Sequence, residues 1–288
     1  NLFIKNWKFV SGVMGISLGT VLLSQIDKII LSKMLTLEVF SYYMLATTVA
    51  TVIMSLVSPI HTALFPRLSQ LVVKKDEAGI SDLYHRGCQL ASIIILPISI
   101  TMIFFSKEIL STWIGDPTVV NNTHILLSLL IVGTTIKAYM TLPYTLQLAH
   151  GWTKLAFYKN VIAVIIIIPS MLWAAQMYQG IGAAWVLIIL YLGLLIFEII
   201  IMHKRILKGN MRERYGYDVF IPILIVSIIG LAAHEIHDIF PIDVSEAITA
   251  LAVLCTLLFS FMASAWSTGN LNVRVMSLLK IKERKKIL

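Results

Sequence analysis

Residues 161–177 read VIAVIIIIPSMLWAAQM, and Val161–Ile168 is an unbroken run of eight apolar side chains. A helix on the surface of a water-soluble core shows one apolar stripe, not an apolar circumference. This stretch therefore reads as a helix in hydrocarbon, where the backbone must satisfy its own hydrogen bonds. It belongs to a run at about 156–177, and seven more runs reach the ~20 residues that a bilayer crossing needs. They lie at about 10–34, 40–64, 86–105, 124–148, 181–202, 219–236 and 245–266. The expected fold is an all-α polytopic membrane protein with about eight transmembrane helices. Composition agrees: of 288 residues, 58% are hydrophobic and 13% charged, against about 45–50% and about 25% in soluble domains. That excludes a soluble globular domain, a disordered chain and a disulfide scaffold. Cys88 and Cys255 lie far apart in apolar runs, without CxxC or metal-ligand spacing, and read as small buried residues.

The net charge of +8 would point to nucleic acid in a soluble protein. Here it is explained by topology. With Asn1 on the cytoplasmic side, the inner segments hold 19 Lys and Arg residues and the outer loops hold only Lys33 and Lys107. The remaining two, Lys28 and Lys137, fall within spans. Cytoplasmic loops of membrane proteins carry this excess of Lys and Arg, and an odd number of spans would destroy the pattern. Both ends are thus expected in the cytoplasm, and no nucleic-acid partner is needed. The chain opens at Asn1 without a charged n-region, a short apolar core and a cleavage site, and reads as the cut end of a longer protein.

Three loops are longer than the rest, at 65–85, 106–123 and 203–218. Leu68–Leu83 reads as a helix and a turn at the membrane surface. Glu108–Ile114 reads as a short interfacial helix ending at Gly115, Asp116 and Pro117, with Trp113 suited to headgroup depth.

Polar residues inside spans cost at least about 2.5–3.5 kcal/mol when charged, so they are the candidates for function. Lys137 lies thirteen residues into its span, roughly 20 Å deep at about 1.5 Å per residue. Thr134, Thr135, Tyr139, Thr141, Tyr144 and Gln147 give its helix a polar side, and Tyr144 is seven residues on, nearly on the same face. This pattern fits the wall of a hydrated cavity. A second group is Ser24, Gln25, Asp27 and Lys28; adjacent Asp27 and Lys28 point apart, so each needs another partner or water. Glu198, one turn from the end of its span near His203 and Lys204, reads as interfacial. His150–Gly151 reads as a turn. His234, Glu235 and His237 lack the HExxH spacing of a zinc site. Asn121–Asn122–Thr123 is a sequon, and Gly15 and Gly19 form GxxxG; both patterns are common by chance. No Walker motif or nucleophile elbow occurs, so neither a cofactor nor bound ATP is expected.

Several segments, in order, are similar to one family. Residues 25–46 run QIDKIILSKMLTLEVFSYYMLA, 59–71 PIHTALFPRLSQL, 110–115 LSTWIG, 142–154 LPYTLQLAHGWTK and 180–185 GIGAAW. This series resembles the C-terminal half of O-antigen (Wzx-type) flippases, the polysaccharide transporters of the multidrug/oligosaccharidyl-lipid/polysaccharide superfamily. The resemblance covers about 1–210, and the last two spans only loosely. It implies two six-helix lobes around a central cavity in the bacterial inner membrane. Residues 1–210 would be the second lobe, and 211–288 two added helices with a basic cytoplasmic tail. It further implies transport of a polyprenyl-pyrophosphate-linked oligosaccharide, not catalysis. The partners implied are membrane lipids, a missing N-terminal lobe and the polysaccharide polymerase machinery. Cavity residues would be Lys137, Lys28, Asp27, Gln25, Tyr144 and Gln147.

Three other readings fit the same architecture, one of them a structural or scaffolding half-transporter, which would not need Lys137 at all. A multidrug-type exporter of cations should favour acidic residues at mid-membrane, where this chain has a lysine. A membrane polysaccharide polymerase or ligase should carry a large basic external loop, whereas the longest here is about eighteen residues with one lysine.

Overall fold

Three of the described turns fall where a capping side chain opens the next helix. Thr36 accepts a hydrogen bond from the Val39 amide at 3.4 Å, Asp76 from Gly79 at 2.9 Å and Asp116 from Thr118 at 2.8 Å, each satisfying an amide that the first helical turn leaves open. Lys75, Gly115 and Gly151 take left-handed backbone conformations at the helix ends. The structure is a computed structural model that describes residues 23–207 and 219–239, together with positions 14, 19 and 21. In it the helices are α1 (23–34), α2 (Leu37–Ala50), α3 (Val52–Lys74), α4 (Glu77–Phe104), α5 (Ser106–Ile114), α6 (Pro117–Ala149), α7 (Thr153–Arg205) and α8 (Ile221–Ile239). No strand occurs among the described residues.

Among those residues, four helical stretches are long and apolar enough to cross a membrane: Leu37–Lys74, Glu77–Phe104, Pro117–Ala149 and Thr153–Arg205. The chain is a multi-pass α-helical membrane protein. The last stretch is 53 residues, about 80 Å if straight at ~1.5 Å per residue, against a hydrocarbon core of about 30 Å. It is not straight. Gln179 has φ 51° and ψ −134°, which breaks the helix in two, and Lys159 of the first arm reaches Glu198 of the second at 2.7 Å. These partners stand almost equally far from Gln179, so α7 is a helical hairpin whose arms coincide with the expected runs at 156–177 and 181–202. A side chain at Gly182 would run into the Ala174 carbonyl, which is why the return arm can start so close to the outgoing one. Trp173, Tyr178 and Trp185 flank the turn and are 61%, 64% and 51% exposed, the placement of aromatics at a bilayer interface.

Helix α6 is the hub, packed against α2, α3, α4, α5 and α7, while α8 lies on α4. A Cβ on Gly180 would touch Leu126 and Tyr43 at 3.4 and 3.6 Å, which gathers the α7 turn and the early parts of α2 and α6 at one end. At the opposite end Arg205 stacks over the Trp152 ring at 4.3 Å. The helices therefore alternate in direction, and Arg67, Lys74, Lys75, Lys154 and Arg205 share one end.

Several boundaries differ from the expectations. Helix α3 runs on through Phe65 and Pro66 to Lys74, and α4 begins at Glu77, nine residues before the apolar run. Burial on one side suffices to hold these amphipathic extensions, which hydropathy alone does not mark. Trp113 and Gly115 end a nine-residue helix as anticipated. Cys88 is buried. Thr123 of the sequon is fully buried in α6. Gly19 lies beside the Asn160 side chain. Gly15, the start of the first run, Cys255, the run at 245–266 and the basic tail lie outside the residues described.

Candidate functional site

The polar residues of α6 divide into two sets by helical phase. Thr135 donates to Ser99 at 2.8 Å and Tyr139 to Ser92 at 2.9 Å, so this face is bonded to α4. Thr134, Lys137, Thr141 and Tyr144 recur at three- and four-residue intervals and face open space instead. They line two adjoining cavities.

The first cavity, ≈ 290 Å³, is lined by Ser24, Gln25, Asp27 and Lys28 of α1, Thr47 of α2, Thr51 at the α2–α3 junction, Thr134 and Lys137 of α6, and Tyr191 of α7, with apolar residues between them. Asp27 is 5% exposed. Its Oδ2 accepts a 2.6 Å hydrogen bond from the Tyr43 hydroxyl, and its Oδ1 is buried without a partner among the described residues. The second cavity, ≈ 260 Å³, is lined by His61, Lys137, Thr141, Tyr144, Lys159, Asn160 and Tyr191, again with apolar neighbours. Thr145 donates to the Thr141 carbonyl at 2.6 Å; its oxygen is thereby left to accept from Nδ1 of His61 at 2.5 Å. His61 also stacks on Tyr144, with ring centroids 6.2 Å apart.

Lys137 and Tyr191 line both cavities, with Leu23 and Met54. The Lys137 ammonium stands 5.5 Å from the Tyr191 ring centroid, near enough for a cation–π attraction. It forms no ion pair among the described residues. Lys137 is thus a lysine on the partition between two spaces of mixed lining, inside an apolar helix bundle. Such a site can attract an anion and release it.

Of the six residues singled out by sequence, five line these cavities: Lys137, Lys28, Asp27, Gln25 and Tyr144. Gln147 is fully buried and donates to Glu198 Oε1 at 2.7 Å. Glu198, expected at the interface, is fully buried and also takes Lys159 at 2.7 Å. Lys159, counted above among the inner-loop charges, is only 6% exposed. Both corrections have one cause: the α7 hairpin brings the outer ends of its two arms together, and each polar group becomes the other's solvent. The equal spacing of 159 and 198 about the turn at 179 was the available signal. His61, Asn160 and Tyr191 are cavity residues that the sequence reading did not pick. Nothing in an apolar run marks which single aromatic or histidine faces a cavity.

These features define a class: a multi-pass helical protein with a lysine between two cavities inside the bundle. Comparison with known proteins narrows it. The model of a family described as polysaccharide biosynthesis protein matches residues 3–119. A putative O-antigen transporter of Shigella flexneri is 22% identical over 182 residues, covering 63% of this chain and 41% of the relative. The match thus spans about two fifths of that protein's length. No solved structure matches. The chain is thus similar to a polysaccharide biosynthesis family over its first two fifths and to an O-antigen transporter over 182 residues. The family match includes Asp27 and Lys28; Lys137 and the α7 hairpin lie beyond it.

Proposed function

We propose that this chain flips a polyprenyl-pyrophosphate-linked oligosaccharide across the bacterial inner membrane, for surface polysaccharide and lipopolysaccharide assembly. The observation that carries the reading is the Lys137 ammonium on the partition between two cavities of mixed polar and apolar lining. The substrate has an anionic pyrophosphate, a polar glycan and a long lipid tail. The tail stays in the bilayer while the cavities take the headgroup. Lysine presents a point charge without the forked geometry of arginine, which suits a site that must also release its anion. The reading takes the basic end of the bundle as cytoplasmic, with eight spans and both chain ends on that side. Residues 1–210 act as one six-helix lobe, and 211–288 add two helices. A second lobe supplies the facing wall, and rocking of the lobes alternates access. Movement of the substrate, without a bond made or broken, is the activity proposed.

In cells that depend on the transporter, Lys137→Ala is expected to abolish lipid-linked sugar export, and Lys137→Arg to retain part of it. Export is read as surface polysaccharide at matched membrane expression. Normal export by the Ala variant would overturn the assignment.

A further inference from the structure

A third concavity, ≈ 320 Å³, lies at the basic end, away from the two central cavities. It is lined by Arg67, Gln70, Leu71 and Lys74 of α3 and by Gly79, Asp82, Leu83 and Arg86 of α4. Each set has spacing i, i+3, i+4, i+7, one face of a helix. The turn at Lys75–Asp76 folds the faces onto each other, so that Arg67 stands level with Arg86 and Lys74 with Gly79. Three cations and one carboxylate thus line one concavity. Asp82 takes a 2.7 Å contact from an outer guanidinium nitrogen of Arg86. The Arg86 Nε is buried and has no acceptor among the described residues. Arg67 and Lys74 have no ion pair among those residues. A general excess of positive charge at one membrane face requires only that Lys and Arg lie in the loops. It does not require two arginines and a lysine to line one concavity with a single carboxylate, which leaves a local excess of positive charge.

We propose that the α3–α4 hairpin is a phosphate site, separate from the central cavities, for a headgroup bearing one or two negative charges. Arg86 and Arg67 would donate through their outer guanidinium nitrogens, Lys74 would supply charge, and Gln70 a further hydrogen bond. Guanidinium and phosphate match in planar, bidentate fashion. Leu71 and Leu83 add apolar lining that a glycerol or lipid stem can cover.

The test uses the full chain in neutral detergent, titrated with phosphatidylglycerol, phosphatidylcholine or inorganic phosphate, with the thermal unfolding midpoint as readout. Phosphatidylglycerol is expected to raise the midpoint saturably, and phosphatidylcholine to leave it unchanged. Saturation by inorganic phosphate alone at similar concentration would make free phosphate the source of the group. The decisive variant is Arg67→Gln combined with Val73→Arg. It keeps the net charge of α3 but moves one cation to an 83%-exposed position off the lining. It should raise the half-saturating concentration roughly tenfold, as loss of one charge-assisted contact does. Arg86→Gln with Val73→Arg is the second variant and should do the same; if only one of the two folds, that one decides. Unchanged saturation in both variants, or an equal response to phosphatidylcholine, would overturn the site and leave only non-specific attraction between a basic surface and anions. Neither outcome bears on export through Lys137.

Discussion

Asp27 and Glu198 are both acids buried in the same apolar bundle, yet their surroundings differ. Glu198 is fully buried with both oxygens occupied, one by Gln147 and one by Lys159. Asp27 has one partner, Tyr43, and a second oxygen left open among the described residues. The first acid is consumed by structure: it ties α6 to both arms of the α7 hairpin. The second borders a cavity that also holds Lys28 and Lys137. A buried charge that is fully hydrogen-bonded holds the fold; one left partly open has capacity for a ligand, an ion or a water. The contrast separates residues that seem alike by type and burial alone.

The largest expected effect is on the closed cluster. Lys159→Met leaves Glu198 buried without its cation, and breaking one side of such a pair costs about 3–5 kcal/mol. Thermal unfolding in detergent should show this, and Lys159→Met with Glu198→Gln should regain more than half of the loss. A Lys159→Met variant as stable as the parent would erase the distinction between the two acids. Next comes Tyr43→Phe, which removes one hydrogen bond to a carboxylate, about 1.5–3 kcal/mol. If it costs as much as Lys159→Met, Asp27 is as firmly embedded as Glu198. The smallest is Tyr139→Phe on the α4-facing side of α6. Ser92 keeps its bond to the Cys88 carbonyl, so the loss should be about 0.5–1.5 kcal/mol, with export unchanged. Reduced export at normal abundance would place Tyr139 in the transport path after all.

Much of the site was legible before the structure. Lys137, Tyr144 and the Asp27–Lys28 pair stand out because charge and polarity are expensive in a bilayer, and helical phase links the first two. Gln147 stood out for the same reason, but polarity alone does not separate a cavity wall from a hydrogen bond to a buried neighbour. The pairing of Glu198 with Lys159 was not legible because each stands near the end of a different apolar run. Burial there is set by helices packed from the side, which hydropathy does not see. The basic groove was visible as loop charge only; its convergence depends on the turn at Lys75.

Class follows from local chemistry, and that much the residue order settled unaided. Unbroken apolar runs demand helices in lipid, caps and left-handed glycines end them, and lone charges within them stand out because they are costly there. Partnership follows from packing across helices distant in sequence. The Gln179 hairpin sets Lys159 on Glu198, α6 turns one polar face to α4 and the other to the cavities, and Lys137 comes to stand between two spaces. Each of these is a choice among neighbours that sequence spacing leaves open, because the energy of a buried charge depends on what surrounds it in three dimensions.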